Sequence, residues 1–212
     1  MNSLTQYNAV RSQLRAGDLV MFWGRSPLSV AIELIDAGPS HSAIVRQGFR
    51  PAEHGPAGTD LDATICQSTI QKWNGVEVNG VQTDPLGSTI AGYDSRAAIA
   101  ALRLSDETRA KIDWEKFYAL IGAADGHVGY DIPDLFEFLV RDIPILGAHV
   151  AQGEHKTKMV CSSWVTAVLE SSGVLTGINW TQVTPQQLVE MHIYRDFLPL
   201  LGNPKPSRFN TI

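Results

Sequence analysis

Two side chains in this sequence have the chemistry of a nucleophile and its base, and they stand far apart: Cys161 in "VCSSWVTAVLESSGVL" and His41 in "AGPSHSAIV". Cys161 follows a polar stretch and opens a run in which Val165, Val168 and Leu169 recur at helical spacing, with Gly173 as a natural stop. A thiol on the first turn of a helix faces main-chain N–H groups that have no partner within the helix. Their partial positive charge favours thiolate and lowers the thiol pKa, as a nucleophile at neutral pH requires. The same N–H groups, with Ser162 next to the sulfur, can hold the oxyanion when a carbonyl is attacked. The competing reading is a small apolar thiol packed under a helix, and it applies equally to the other cysteine, Cys66.

His41 opens a β-prone run, Ser42 to Val45, where a polar loop becomes an apolar strand. From that margin an imidazole can reach a neighbouring helix start; the alternative is a half-exposed capping residue. The other histidines have weaker settings: His54 in a Pro/Gly-rich stretch, His149 and His155 in irregular ones, His192 near the end, and His127 just before "VGYD". A base also needs a partner on its far nitrogen. The next strand offers Gln67 in "ICQSTI". If Gln67 faces the cleft, alternation turns Cys66 and Ser68 away, and Gln67 Oε1 is expected to accept the imidazole Nδ1–H. A polar residue on a half-buried strand is the ordinary alternative.

The elements that must position these groups alternate in type. "SLTQYNAVRSQL" reads as a short helix, and Leu19 to Trp23 as a buried strand after the Gly17–Asp18 turn. Ser26 and Pro27 begin a helix through Ile35, closed by Gly38–Pro39. Residues 49–60 form a surface insertion, "ATICQSTIQ" a strand, and Asn79–Gly80 in "GVEVNGVQTDPL" marks a hairpin. "AAIAALRL" is a central strand, one helix runs from near Asp106 through "WEKFYALIGAADG", and "YDIPDLFEFLV" adds another. Thr184 and Pro185 start a last short helix, and residues 202–212 are a loose tail. With no repeat and no linker, the pattern predicts a single α+β domain, its core near residues 17–190.

Bulk properties narrow the chemistry. The 212 residues are 44% apolar and 18% charged, enough to bury a core without metal or disulfide support. Two cysteines and no CxxC or HExxH pair argue against a zinc site, so no metal or organic cofactor is expected. A net charge of −5 without a basic stripe disfavours nucleic acid. The N-terminal residues lack the apolar core of a secretory signal and no apolar run reaches spanning length, so no stable membrane insertion is expected. The expected location is cytoplasmic, with delivery by a phage particle as another route. Oligomeric state is not legible.

The ordered set "GDLVMFWGRSPLSVAIELIDAGPSHSAIV", "QSTI", "GVQTDPL", "GYDIPDL", "VCSSWVTAVLESSGV" and "TPQQL" resembles the permuted papain-like (NlpC/P60-type) cysteine amidase family, the YiiX/YaeF-like group, from about Gly17 to Leu188. In this group the histidine strand precedes the cysteine helix. The resemblance implies a small antiparallel sheet packed against helices, with Cys161 as nucleophile and His41 as general base. Gln67 matches the third polar position, which in the family is often acidic and here is an amide. Tyr130 in "GYD" matches a recurring tyrosine that lines the pocket, aids the oxyanion site or only fixes a turn, and Trp23 and Arg25 are candidates to rim the cleft. The implied activity is hydrolysis of an amide, peptide or peptidoglycan-like, or a related acyl bond, through a thioester. Alternatives are a lipid-directed thiol acyltransferase or esterase, and a catalytically idle papain-like binding module.

Overall fold

The computed structural model describes residues 4–24, 29, 38–52, 60–73, 76–93, 96–129 and 160–204. The helix expected from Ser26, the "YDIPDLFEFLV" helix, most of the 49–60 insertion, the tail beyond residue 204, and both Arg25 and Tyr130 lie outside the described residues.

The chain is α+β. Helix α1 (Thr5–Val10) and one 3-10 turn lead into β1 (Leu19–Trp23), then β2 (His41–Gln47), β3 (Thr64–Trp73) and β4 (Val76–Pro85). Next come α2 (Leu86–Ala91), β5 (Ala98–Leu104), α3 (Asp106–Ala110) and α4 (Trp114–Ala124). After them stand α5 (Cys161–Ser171), α6 (Pro185–Glu190) and β6 (Tyr194–Leu201). The six strands form one sheet in the order β4-β3-β2-β1-β5-β6, antiparallel at every pairing.

Both faces of the sheet are covered, and strand alternation divides the core in two. Leu19, Met21, Ile44 and Cys66 pack with Phe117 and Ile121 of α4 and with Trp164, Val165, Val168 and Leu169 of α5. Val20, Phe22, Ala43, Val45 and Ile65 pack on the opposite face with Tyr7 of α1 and with Leu86 and Ile90 of α2. Fully burying each large apolar side chain stabilises the fold by about 1.5–3 kcal/mol.

Several local expectations need correction. The turn between β3 and β4 is not at Asn79–Gly80: those residues lie inside β4, opposite Ile70 and Thr69. Trp73 pairs with Val76, so the two strands are already paired five residues before that point, and residues 74–75 lie outside the described residues. Gly80 has φ +142, and a Cβ there would lie 2.0 Å from the Val128 carbonyl oxygen. The helix expected from Asp106 is two helices, because Asp113 caps a new start by accepting the Lys116 N–H at 3.1 Å. Strand β6 was not expected: Asp196 and Pro199 interrupt its alternation, and it forms an edge of the sheet, where a proline is tolerated. The cap at Thr184 matches the sequence reading, and β5 is an interior strand, next to the edge strand β6.

The start of β1 is tied to the far end of β5 by one buried carboxylate. Asp18 accepts the Arg15 N–H at 2.8 Å and the Leu104 N–H at 3.0 Å, and it pairs with the Arg109 guanidinium. Burial raises the Asp18 pKa, with the Arg109 charge opposing it. Asp18→Ala strands that guanidinium and two N–H groups, so urea unfolding is expected to show a loss of about 3 kcal/mol with an unchanged m-value.

Candidate active site

His41 is held by the turn that precedes it. The Ser40 N–H donates to the Phe22 carbonyl at 2.8 Å, and the Ser40 hydroxyl accepts the Gly24 N–H at 3.1 Å and donates to the same Phe22 carbonyl at 3.2 Å. These bonds fix His41 as the first residue of β2, paired with Phe22 across the ladder. Paired residues share a face, and the two rings lie 5.2 Å apart, tilted by 51°. Tyr93, just beyond α2, stacks on the other side of Phe22 at 5.3 Å.

Cys161 is the first residue of α5, after Val160 at the cap position, and no side chain caps this helix. The first-turn N–H groups of Cys161, Ser162 and Ser163 are therefore not consumed by a capping oxygen. Helix α5 packs on β2 and β3, bringing the thiol to the His41 imidazole, with which it is hydrogen-bonded. Ser42, on the α5 face of the sheet, presents its main-chain N–H to the sulfur, and its hydroxyl lies near enough to help lower the thiol pKa. That hydroxyl is buried and has no hydrogen-bond partner among the described groups.

The far side of the imidazole is occupied by Gln67. His41 Nε2 and Gln67 Oε1 are 2.8 Å apart, so the expectation that Gln67 would take Nδ1–H is corrected: it takes Nε2–H and leaves Nδ1 for the thiol. Cys66, the neighbour of Gln67, lies in the core under α5, as alternation requires. Gln67 is fully buried, and its Nε2–H donates to Asp84 Oδ2 at 2.8 Å. The polar array therefore runs Cys161–His41–Gln67–Asp84.

The electrostatics follow from this geometry. Burial opposes charge on both reacting groups, but their mutual attraction and hydrogen bond outweigh it. The Cys161 pKa is lowered by the imidazolium charge, with help from Ser42; the His41 pKa is raised by the thiolate, the Gln67 carbonyl and the Asp84 charge. Cys66 is the contrast: burial pushes its thiol up to about 12. Burial and the Cys161 charge push Tyr93 up to about 12 as well, so its hydroxyl keeps its proton at neutral pH.

The other sequence candidates divide. Ser162 is buried, and its carbonyl accepts the Thr166 hydroxyl at 2.8 Å, leaving its N–H on the first turn. Trp23 is 8% exposed and packed in the α5-side core, so it is not an open rim. Asp84, Tyr93, Ser42 and Phe22 were missed. Tyr93 carried a visible signal, because "GYD" occurs twice, at 92–94 and at 129–131. An open hollow lined by Ile178, Asn179, Gln182, Val183, Gln187 and Met191 shares no residue with the array. Among the described residues, no group of His, Cys, Asp and Glu is arranged to hold a metal ion, and no helix is long and apolar enough to cross a membrane.

No family model matches the chain, and no curated protein matches it. It is similar to a solved structure, the metalloprotein yiiX from Escherichia coli O157:H7, at 19% identity and a TM-score of 0.44, over 76% of this chain and 67% of that one. That similarity is too distant to bear on the chemistry, which rests on the side chains themselves.

A lowered thiol pKa means more thiolate at a given pH, so the pH dependence has a defined sign. Iodoacetamide is expected to alkylate Cys161 at a rate that levels off well below an ordinary thiol pKa of about 8.5. His41→Ala removes the main opposition to burial, leaving only Ser42 and the helix start, and so moves the midpoint upward and slows the reaction at pH 6.5 at least about tenfold. Mass spectrometry of tryptic peptides separates this from Cys66, which stays unmodified.

Proposed function

We propose that the chain is a cysteine hydrolase on a circularly permuted papain-like frame, cleaving an amide bond, peptide or peptidoglycan-like, or a related acyl bond. One observation carries this reading: a thiol at the uncapped start of α5 is hydrogen-bonded to an imidazole whose other nitrogen is held by Gln67. Nucleophile, base and orienting group are the three parts that acyl transfer needs. The order of parts, with the histidine strand before the cysteine helix, fits the permuted arrangement.

The steps follow from the positions. His41 Nδ1 takes the thiol proton, and the Cys161 sulfur attacks the carbonyl carbon. The negative oxygen of the tetrahedral adduct is met by N–H groups of the first turn of α5, Cys161 included. Collapse breaks the acyl–nitrogen bond, and the imidazolium gives its proton to the leaving amine. Water, deprotonated by the same imidazole, then attacks the thioester; the acid leaves and the thiol is restored. Gln67 keeps the ring in one orientation throughout.

Incubation with a panel of activated esters and peptide amides, followed by intact-protein mass spectrometry, tests the reading. A transient acyl adduct on Cys161 is expected. Turnover should fall on the order of 10⁴-fold in Cys161→Ala and by roughly 10²–10⁴-fold in His41→Ala. The 5% exposure of Cys161 favours one alternative, an idle papain-like module that binds without cleaving. Saturable binding of such compounds with no adduct and no turnover would select that alternative.

A further inference from the structure

We propose that Asp84 is the carboxylate partner of the His41 imidazole, acting one amide removed through Gln67, as a positioning residue that decides which ring nitrogen faces the thiol. The inference rests on the cysteine–histidine reading above and deepens it.

The argument is one of donors and acceptors. A carboxylate can only accept hydrogen bonds, whereas a glutamine amide has a donor end and an acceptor end that are nearly interchangeable in shape. Asp84 Oδ2, 2.8 Å from Gln67 Nε2, requires the amide's donor end. The acceptor end, Oε1, must then face His41, 2.8 Å from its Nε2. An imidazole nitrogen facing a carbonyl must carry its proton, so in the neutral ring Nε2 is the donor and Nδ1 has the free lone pair. That lone pair is what removes the proton from Cys161. Without Asp84 the amide can turn over, offer its N–H₂ to Nε2 and favour the Nδ1–H tautomer, which cannot act as a base toward the thiol.

Charge adds to orientation. An amide alone cannot balance an imidazolium, but the Asp84 charge reaches the ring across one side chain inside a buried network, where screening is weak. Tyr93, stacked on Phe22, is near enough to feel the Cys161 charge and is protonated at neutral pH, so it brings no charge. The register makes the contact possible. Gln67 pairs with Gln82, and Asp84 is the diagonal neighbour on the same face of β4. Asp84 is also held on both sides: the Thr83 N–H donates to Asp125 at 3.1 Å, Asp125 is paired with Arg46 at 3.2 Å, and the Leu86 N–H donates to the Ala63 carbonyl at 2.8 Å.

The test is the pH profile of Cys161 alkylation by iodoacetamide in Asp84→Asn and in the exchanged pair Gln67→Glu with Asp84→Asn, each checked by circular dichroism and melting temperature. The single variant is expected to shift the midpoint upward by about one unit, about tenfold in rate at pH 6.5. The exchanged pair is expected to recover the wild-type profile, because a carboxylate then accepts Nε2–H directly and the amide donates to it. Nitrogen-15 shifts of His41 in a Cys161→Ala background should report the Nε2–H tautomer, with both tautomers once Asp84→Asn is added. A folded single variant with the wild-type profile and tautomer overturns the role of Asp84 while leaving the cysteine–histidine pair intact. A folded exchanged pair that remains slow overturns it too, even where the single variant does not fold. A wild-type profile indifferent to His41→Ala removes the pair itself, and this inference with it.

Discussion

The contact between the Cys161 thiol and the His41 imidazole is the constraint around which the rest of the site is organised. Opposite charges in a buried position attract strongly, but each loses its hydration, and the surroundings must replace it. Here the replacement is spread over groups that differ in kind. The sulfur receives the Ser42 N–H, has the Ser42 hydroxyl nearby, and stands at the uncapped start of α5. The imidazole receives a carbonyl oxygen from Gln67, with a carboxylate behind it. Burial alone would have pushed both groups toward neutrality, as it does the thiol of Cys66, where the Thr83 hydroxyl and the Arg46 charge do not outweigh it.

The sheet is used from both sides. Its α5 face carries Met21, Ser42, Ile44 and Cys66, so α5 rests on apolar side chains with the Ser42 hydroxyl near the thiol. The opposite face carries Phe22, His41 and Gln67, and with them the imidazole and its partners. His41 belongs to the second face but is the first residue of its strand, which lets it meet a group arriving from the first. Tyr7 of α1 hydrogen-bonds Asp62, which also accepts the Gly87 N–H at 2.7 Å. That anchors the start of α2 and so the approach of Tyr93 to Phe22.

The parts of the site that follow from local rules were legible in the sequence. Cys161 stands where an apolar helical repeat begins, His41 where a loop becomes a strand, and alternation alone puts Gln67 and Cys66 on opposite faces. Asp84 was hidden because its link to Gln67 depends on the register of β3 against β4. A hairpin placed at Asn79–Gly80 pairs Gln67 with residues beyond Pro85, whereas the true turn, five residues earlier, brings Gln82 and Asp84 alongside. Tyr93 had a visible motif, but its place beside Phe22 is set by how α2 docks, and no periodicity encodes docking. The division of one expected helix into α3 and α4 turned on Asp113, a capping residue that reads as an ordinary surface charge until its N–H partner is known.

Chain order gives this arrangement a consequence for biosynthesis. His41, Gln67 and Asp84 lie on three strands that neighbour one another in the sheet, all translated well before Cys161. A nascent chain can pair those strands, and align the amide and the carboxylate, while the segment carrying the sulfur is still unmade. The thiol then leaves the ribosome as an ordinary cysteine and gains its altered acidity only when α5 settles on β2. The thiol's altered acidity thus arises late, from the docking of α5, and a translation product cut short before residue 161 would hold the aligned imidazole with no sulfur beside it.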